Sequence, residues 1–438
     1  MQTQVSKLRH VFSLLEPAVP KKPTLDALKY VRVGDGQAVA TDLDVAVTVD
    51  LPEAQDGVHL LPFATVENFL RFTPGSLSLG IVSRDGRVHL LAQGNEASFP
   101  TMDPEEYPPL PSVGLGALSA VVDGDDLVSA LAALAEYAAT EQSRPVLTTV
   151  CLTLQEPMEA AAADGFRLAV RTLRSGFAGG EGQRALVPAN AVKALKRLWK
   201  LAPSPAEAPE GAPIAELVVS RRPIAMDYHS DSQPLQLRFG EVTLMVKLLQ
   251  GTFPLYRKLI PTKFTSHVAF HAQELLRAVR QVGEVAAQGA GVVRLSWDEG
   301  RLTVKAKAEE VGDIEVALRA DTEAAGRIAF NTAYLTGYLK GKEGVITLST
   351  ESPSAPGVFT HQGIKVVIMP MFLKDDAPAT PAPQAPVSSD EPPPSDETEA
   401  PVEDLSPEEA AIVEAVEGDE PVEEPKPKGK GRGRKKKE

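Results

Sequence analysis

The sequence is poor in reactive side chains. A single cysteine, Cys151, among 438 residues excludes an internal disulfide and suits a reducing compartment. Seven histidines are scattered without an HExxH motif or other paired spacing, so no metal ligands and no cofactor are expected. No apolar run reaches the length of a membrane span, and the N-terminal "MQTQVSKLRH" has no apolar leader core. The expectation is a cytoplasmic chain with no membrane partner. The glycine strings at Gly114–Gly116 and Gly179–Gly182 lack the strand–loop–helix context of a phosphate loop. Cys151 lies in an apolar strand pattern and reads as core, and Asp164 beside Gly165 reads as turn chemistry. No catalytic residue is identified, so an enzyme is not expected.

What is present divides unevenly. The net charge is −14, but residues 375–438 hold eighteen acids against eight bases, leaving 41 acids and 37 bases for the rest. The body is therefore close to neutral, and nucleic-acid binding requires its bases to be gathered on one face. From Asp375 to Glu424 the chain is rich in Pro, Ala, Asp and Glu and has no Lys or Arg, a composition expected to be disordered. Within it, "SPEEAAIVEAVEG" has a capping-box look at Ser406 and Glu409. The basic run Lys426–Lys437 then reads as a solubilising end or a weak DNA tether.

The body repeats three times. Each copy opens with an amphipathic helix, "KLRHVFSLLE", "DLVSALAALAEY" or "QELLRAVRQVGEV", with apolar positions such as Leu8, Val11, Phe12 and Leu15 at helical spacing. Strand-like segments follow: "TLDALKYVRV", "VLTTVCLTLQ" and "GVVRLSWDEGRLTVKA". A short strand ("GVHLL", "QRALV", "GRIAF") then leads into a second helix: "PFATVENFLRFTPG", "PANAVKALKRLWKLAP" or "NTAYLTGYLKGKEG". Alternating strands of this kind suit antiparallel sheets with one buried face, and helices on that face make an α+β domain. The expected boundaries are 1–114, 115–262 and 263–374, with 375–438 as the tail.

The second helix of the middle copy carries Lys193, Lys196, Arg197 and Lys200 opposite Val192, Leu195, Leu198 and Trp199, with no acid. Equivalent helices supply Lys7, Arg9, Arg71, Arg277, Arg280, Lys340 and Lys342. Recurrence of this basic face on all three copies suits phosphate contacts, which carry no sequence information.

Six strings occur in order on this repeat: "RPVLTTVCLTL" (Arg144–Leu154), "ADGFRLAV" (Ala163–Val170), "LVPANAVKAL" (Leu186–Leu195), "GTFPLYRKLIP" (Gly251–Pro261), "FNTAYL" (Phe330–Leu335) and "VVIMPMFL" (Val366–Leu373). Together they resemble the bacterial replicative sliding clamp, the beta subunit of the replicative DNA polymerase. The resemblance implies a head-to-tail homodimer of three-domain protomers closed as a six-domain ring on double-stranded DNA, holding it without reading bases. It implies partners in the replicative polymerase, the clamp loader and repair proteins. Their peptides would enter a pocket formed by Leu147, Gly165, Phe166, Arg167, Leu168, Pro254, Lys258, Leu259, Val367, Ile368, Met369, Pro370 and Met371, with Asn331 and Tyr334 nearby. Methionines suit such a lining because they adapt to several partners. Val282 and Val285 are candidates for the subunit contact.

Three positions depart from the family's usual strings. Ala163 and Phe166 stand where "TDGHRLA" has Thr and His, and Phe372 stands where a basic residue is usual. The pocket is expected to be more apolar, with a shifted peptide preference. An accessory hub that binds partners outside the main replisome is the competing expectation.

Overall fold

The computed structural model describes residues 1–113, 117–202, 223–228 and 234–372. Gly114–Gly116, residues 203–222 with their Pro/Ala/Glu-rich start, residues 229–233, and Leu373 with everything after it lie outside the described residues. Residues 1–253 and 260–372 belong to one compact unit. Pro254–Leu259 belongs to another, and there Tyr256–Leu259 makes a 3-10 turn with Tyr256 N donating to Pro254 O at 2.8 Å.

Six α-helices occur among the described residues: α1 (Val5–Leu15), α2 (Phe63–Phe72), α3 (Gly124–Leu134), α4 (Ala189–Leu201), α5 (Ala272–Gln288) and α6 (Thr332–Leu339). All six fall where the apolar spacing predicts them. Two are opened by side chains: Asp123 accepts from Asp126 N at 3.1 Å, and Asn331 accepts from Ala333 N at 2.9 Å. The other four lack a side-chain cap, and each follows directly from a strand. Helices pack as α1 on α2, α3 on α4 and α5 on α6. Val192, Leu195, Leu198 and Trp199 of α4 are buried as expected, and Trp199 donates to Asp125 at 2.8 Å.

Two segments that read as strands begin differently. "TLDALKYVRV" opens with a 3-10 turn at Asp26–Lys29, where the consecutive Ala27 and Leu28 are both buried, which one face of a strand cannot do. "VLTTVCLTLQ" enters through a 3-10 turn at Pro145–Thr148, because Pro145 has no N–H for a ladder. Cys151 is in the core of strand Thr149–Leu154, and burial pushes its thiol up to about 11. It is not a nucleophile at neutral pH.

Every strand pairing among the described residues is antiparallel, and the strands form four sheets, of eight, nine, four and four strands. The eight-stranded sheet crosses from the first repeat to the middle one where Val45–Asp50 pairs with Val242–Lys247. The nine-stranded sheet crosses from the middle repeat to the third where Arg167–Thr172 pairs with Ile364–Ile368. The four-stranded sheets end on Asn95–Pro100 and on Gly312–Arg319. One apolar core runs beneath the helices of all three repeats and includes Leu8, Leu195, Val279 and Phe359. Val282, expected at a subunit contact, is fully buried in this core, because it shares the inward face of α5 with Leu275 and Val279; Val285 is partly buried against it.

Candidate functional site

The run Val366–Phe372 divides by position. Val366, Val367 and Ile368 are buried in the sheet, as is Pro370, while Met371 is 38% and Phe372 67% exposed. Pro370 cannot donate to a ladder, so the strand stops at Ile368 and the following residues bond elsewhere. Met369 N donates to Phe166 O at 3.0 Å, and Met371 N donates to Ala329 O at 2.8 Å. The chain is thus tied on one side to a turn of the middle repeat and on the other to a strand of the third.

That turn is built by Asp164. One carboxylate oxygen accepts from Phe166 N at 3.0 Å and Arg167 N at 2.7 Å; the other accepts from Arg167 Nε at 2.9 Å and Nη2 at 2.7 Å. Gly165 sits between them at φ 94°, a left-handed conformation that side chains rarely adopt. The Arg167 guanidinium lies 5.4 Å from the Tyr137 ring centre and 5.0 Å from that of Tyr334. Phe166 stacks on Tyr334 at 5.6 Å with an interplanar angle of 24°. Desolvation, aided by the Asp164 charge, raises the Tyr334 phenol above its ordinary range; burial raises that of Tyr137. Both hydroxyls stay protonated near neutral pH.

Strand alternation sorts the remaining pocket residues. Leu168 and Val367 lie directly opposite each other, and neither belongs to the main core, which takes their neighbours Ala169, Val366 and Ile368. Leu147 is also buried outside that core. Ile368 is a correction to the expected lining: it is fully buried in the main core, because one step along a strand turns a side chain to the opposite face. Gly165, Phe166, Arg167, Leu168, Asn331, Tyr334, Val367, Met369, Pro370 and Met371 come together around the strand end through the pairings, the Asn331 cap and the ring contacts. Pro254, Lys258 and Leu259 lie in the separate segment Pro254–Leu259, the last two within its 3-10 turn, where Leu259 is 42% exposed. Sequence reasoning missed Tyr137, which looked like the last turn of an amphipathic helix. It also read Asp164 as a turn residue only, although Asp164 positions Arg167 as well.

The expected DNA-facing cations separate into two groups. Lys193, Lys196 and Lys200 on α4, Arg277 and Arg280 on α5, and Lys340 are exposed, with no ion pair among the described residues. Lys7 pairs with Glu53 at 2.7 Å and Arg71 with Glu67 at 3.1 Å, exposed contacts of little energetic weight. Three are committed elsewhere and correct the expectation. Arg9 donates to the carbonyls of Leu70 and Thr73 and so closes the end of α2. Arg197 pairs with Glu16 of the first repeat. Lys342 is half-buried over the Tyr338 ring at 4.9 Å, and its desolvation lowers its pKa.

Among the described residues, no group of three or more His, Cys, Asp or Glu could hold a metal, and no helix is long and apolar enough to cross a membrane.

This arrangement of repeated helix pairs on antiparallel sheets is the fold of solved sliding clamps. A structure described as a DNA polymerase sliding clamp from Pseudomonas aeruginosa with ligand superposes with a TM-score of 0.73 at 20% identity, covering 85% of this chain and 99% of the other. A clamp from the same organism bound to griselimycin gives 0.72 at 19% identity, covering 85% and 99%. In sequence, a beta sliding clamp from Synechococcus elongatus is 26% identical over 387 residues, covering 84% of this chain and 98% of that one. Family models for the DNA polymerase III beta subunit match its central domain at residues 121–255 and its C-terminal domain at 257–371. The chain belongs to the DNA polymerase III beta subunit family, the beta sliding clamps.

Proposed function

We propose that two copies of this chain close head to tail into a ring around duplex DNA, without catalysis, and tether the replicative polymerase through a peptide pocket. The observation that carries the reading is a pairing rule with one term missing. In the first repeat, strand Val45–Asp50 pairs with the last strand of the middle repeat, Val242–Lys247. In the middle repeat, the equivalent Arg167–Thr172 pairs with the last strand of the third, Ile364–Ile368. The third repeat's equivalent, Gly312–Arg319, and the last strand of the first repeat, Asn95–Pro100, are both sheet edges. Each carries half-exposed apolar residues packed at the core margin: Ile314, Val316 and Leu318 on one, Ala97 and Phe99 on the other. An open edge is a template for another strand, and a heterologous contact of this kind closes when the rotation permits. Val285 lies on the α5 surface beside this edge system and remains a candidate contact.

The proposed protomer has domains at 1–114, 115–262 and 263–374, followed by the tail at 375–438. Its cations Lys193, Lys196, Lys200, Arg277, Arg280 and Lys340, which have no ion pair among the described residues, meet phosphates without reading bases. The clamp loader and repair proteins share the polymerase's pocket, and the ring works in the cytoplasm. Charge alone does not separate this from an accessory hub; loading does. The test is retention on nicked circular DNA against the same DNA linearised, after loading with the organism's clamp loader and ATP. A ring stays on the circle and is lost from the ends of the linear molecule. Equal loss from both, or a monomer at micromolar concentration by light scattering, refutes the reading.

A further inference from the structure

The two junctions between repeats share one hydrogen-bonded frame. In the middle repeat Asp164 N donates to Arg167 O at 3.1 Å, and one Asp164 oxygen accepts from Phe166 N at 3.0 Å and Arg167 N at 2.7 Å. In the first repeat Asp42 N donates to Val45 O at 3.1 Å, and one Asp42 oxygen accepts from Asp44 N at 3.0 Å and Val45 N at 2.7 Å. Each turn then holds the last strand of the next repeat in the same way. Lys247 N donates to Asp44 O at 2.8 Å and Leu249 N to Leu186 O at 3.0 Å, as Met369 N does to Phe166 O and Met371 N to Ala329 O.

What fills the frame differs. Val45 stands where Arg167 stands, and it is buried in the core. The second Asp164 oxygen receives Arg167 Nε and Nη2. The second Asp42 oxygen makes no hydrogen bond or ion pair among the described residues. Leu43 holds the position of Gly165 and is 42% exposed. Leu25, 50% exposed, precedes the 3-10 turn Asp26–Lys29 as Arg144 precedes the turn Pro145–Thr148. Arg144 Nη1 reaches to 3.9 Å from where a Cβ on Gly165 would lie, so the positions of Leu25 and Leu43 are neighbours in this frame. The charges here are the exposed pairs Lys29 with Asp26 and, at 3.9 Å, Lys247 with Asp44, which leave Asp42 unmatched.

We propose that the junction of the first and middle repeats is a second docking surface, and that its occupant is a partner segment carrying an arginine beside a branched apolar residue. The arginine supplies from outside the contact that Arg167 makes from inside at the other junction. A guanidinium offers a planar pair of N–H donors to a carboxylate, whereas an ammonium is a compact point charge that does not reproduce the fork. Leu25 and Leu43 gain burial against the neighbouring apolar side chain. The unmatched carboxylate turns away phosphates and acidic segments. The inference does not use the pocket at the other junction.

The experiment selects a phage-displayed library of random seven-residue peptides on the full-length protein carrying Met371→Lys, which disables the other junction. Enriched peptides are titrated by fluorescence anisotropy on the unmodified protein, Asp42→Asn and Leu43→Gly. Asparagine keeps an oxygen to cap the turn and removes the charge. Glycine adopts the φ of 79° at residue 43 freely and removes the apolar side chain, so both variants keep the fold. The expected result is enrichment of arginine next to Leu, Ile or Val, with equal affinity for the unmodified protein and Met371→Lys. Asp42→Asn should weaken these peptides about tenfold or more, Leu43→Gly should weaken them as well, and lysine in place of the arginine should lose most of the binding. Enrichment of acidic or uncharged peptides overturns the proposal. So do arginine peptides that bind Asp42→Asn unchanged, lysine that binds as well as arginine, or no enrichment at all. The pocket reading is judged separately, by peptides that bind the unmodified protein and are lost on Met371→Lys.

Discussion

Arg167→Ala should loosen both the junction of the middle and third repeats and the pocket built on it. The guanidinium donates twice to Asp164, and both side chains are mostly shielded, at 16% and 13% exposure. Charge-assisted bonds of this kind contribute about 1.5–3 kcal/mol. Two ring contacts, at 5.4 and 5.0 Å, add roughly 0.5–1 kcal/mol each. These terms share one group and do not sum, so the expected loss is about 2–4 kcal/mol. Asp164 keeps its bonds to the backbone of Phe166 and residue 167, so the turn persists and the damage stays at the interface.

The measurement pairs calorimetric unfolding with peptide titration on the same samples. Arg167→Lys separates the causes, because lysine keeps the charge but loses the planar fork that meets the carboxylate and stacks between rings. Lysine should recover less than half of the loss in unfolding temperature and little of the loss in peptide affinity. An Arg167→Ala protein that unfolds and binds as the unmodified one does would refute the idea that the stack organises the site. Full rescue by lysine would reduce it to a matter of charge.

Reversing Lys193 and Lys200 to Glu should leave unfolding unchanged and reduce loading on circular DNA, with the deficit shrinking as salt rises; equal retention at low salt counts against the α4 surface. Phe99→Asp, a charge placed on a half-buried ring at the open edge of the first repeat, should turn the dimer into a monomer by light scattering, and a persistent dimer would move the interface elsewhere. Met371→Lys should weaken peptide binding by at least about 1–3 kcal/mol, and unchanged affinity would displace the pocket. Truncation after Lys374 should slow loading at low salt through loss of the basic Lys426–Lys437, with the difference fading as the Debye length falls below about 10 Å; identical rates leave the tail no role in DNA capture.

Helices were the most legible part of the sequence. Their apolar spacing is long and regular, and packing on a shared core reinforces it, so all six lie where the pattern puts them. The two 3-10 entries were harder, because one turn of helix shorter than the window looks like strand. The apolar face of each helix was readable, but the fate of its cations was not. Arg9, Arg197 and Lys342 look in sequence like Lys193, yet Arg9 reaches the end of α2 and Arg197 reaches Glu16, while Lys342 folds back over Tyr338 four residues earlier. Tyr137 and Arg167 are thirty residues apart within the middle repeat, and Arg167 meets Tyr334 because two repeats share a sheet. Such contacts leave no periodic trace.

The same sheet bears on where the proposed pocket of this chain can change without cost to the fold. Ile368 and Val366 are committed to the core, and Val367 is locked opposite Leu168 by the ladder. Pro370 ends the strand and is itself buried, so a substitution there disturbs the two bonds that hold Met369 and Met371. In the proposed pocket these positions set where a peptide would lie. Phe166 makes its hydrogen bonds through its backbone, and its ring, stacked on Tyr334, can be replaced without removing a single ladder bond. A site that must keep one peptide register while altering its preference has its freedom there, on a turn side chain anchored by a carboxylate two residues earlier.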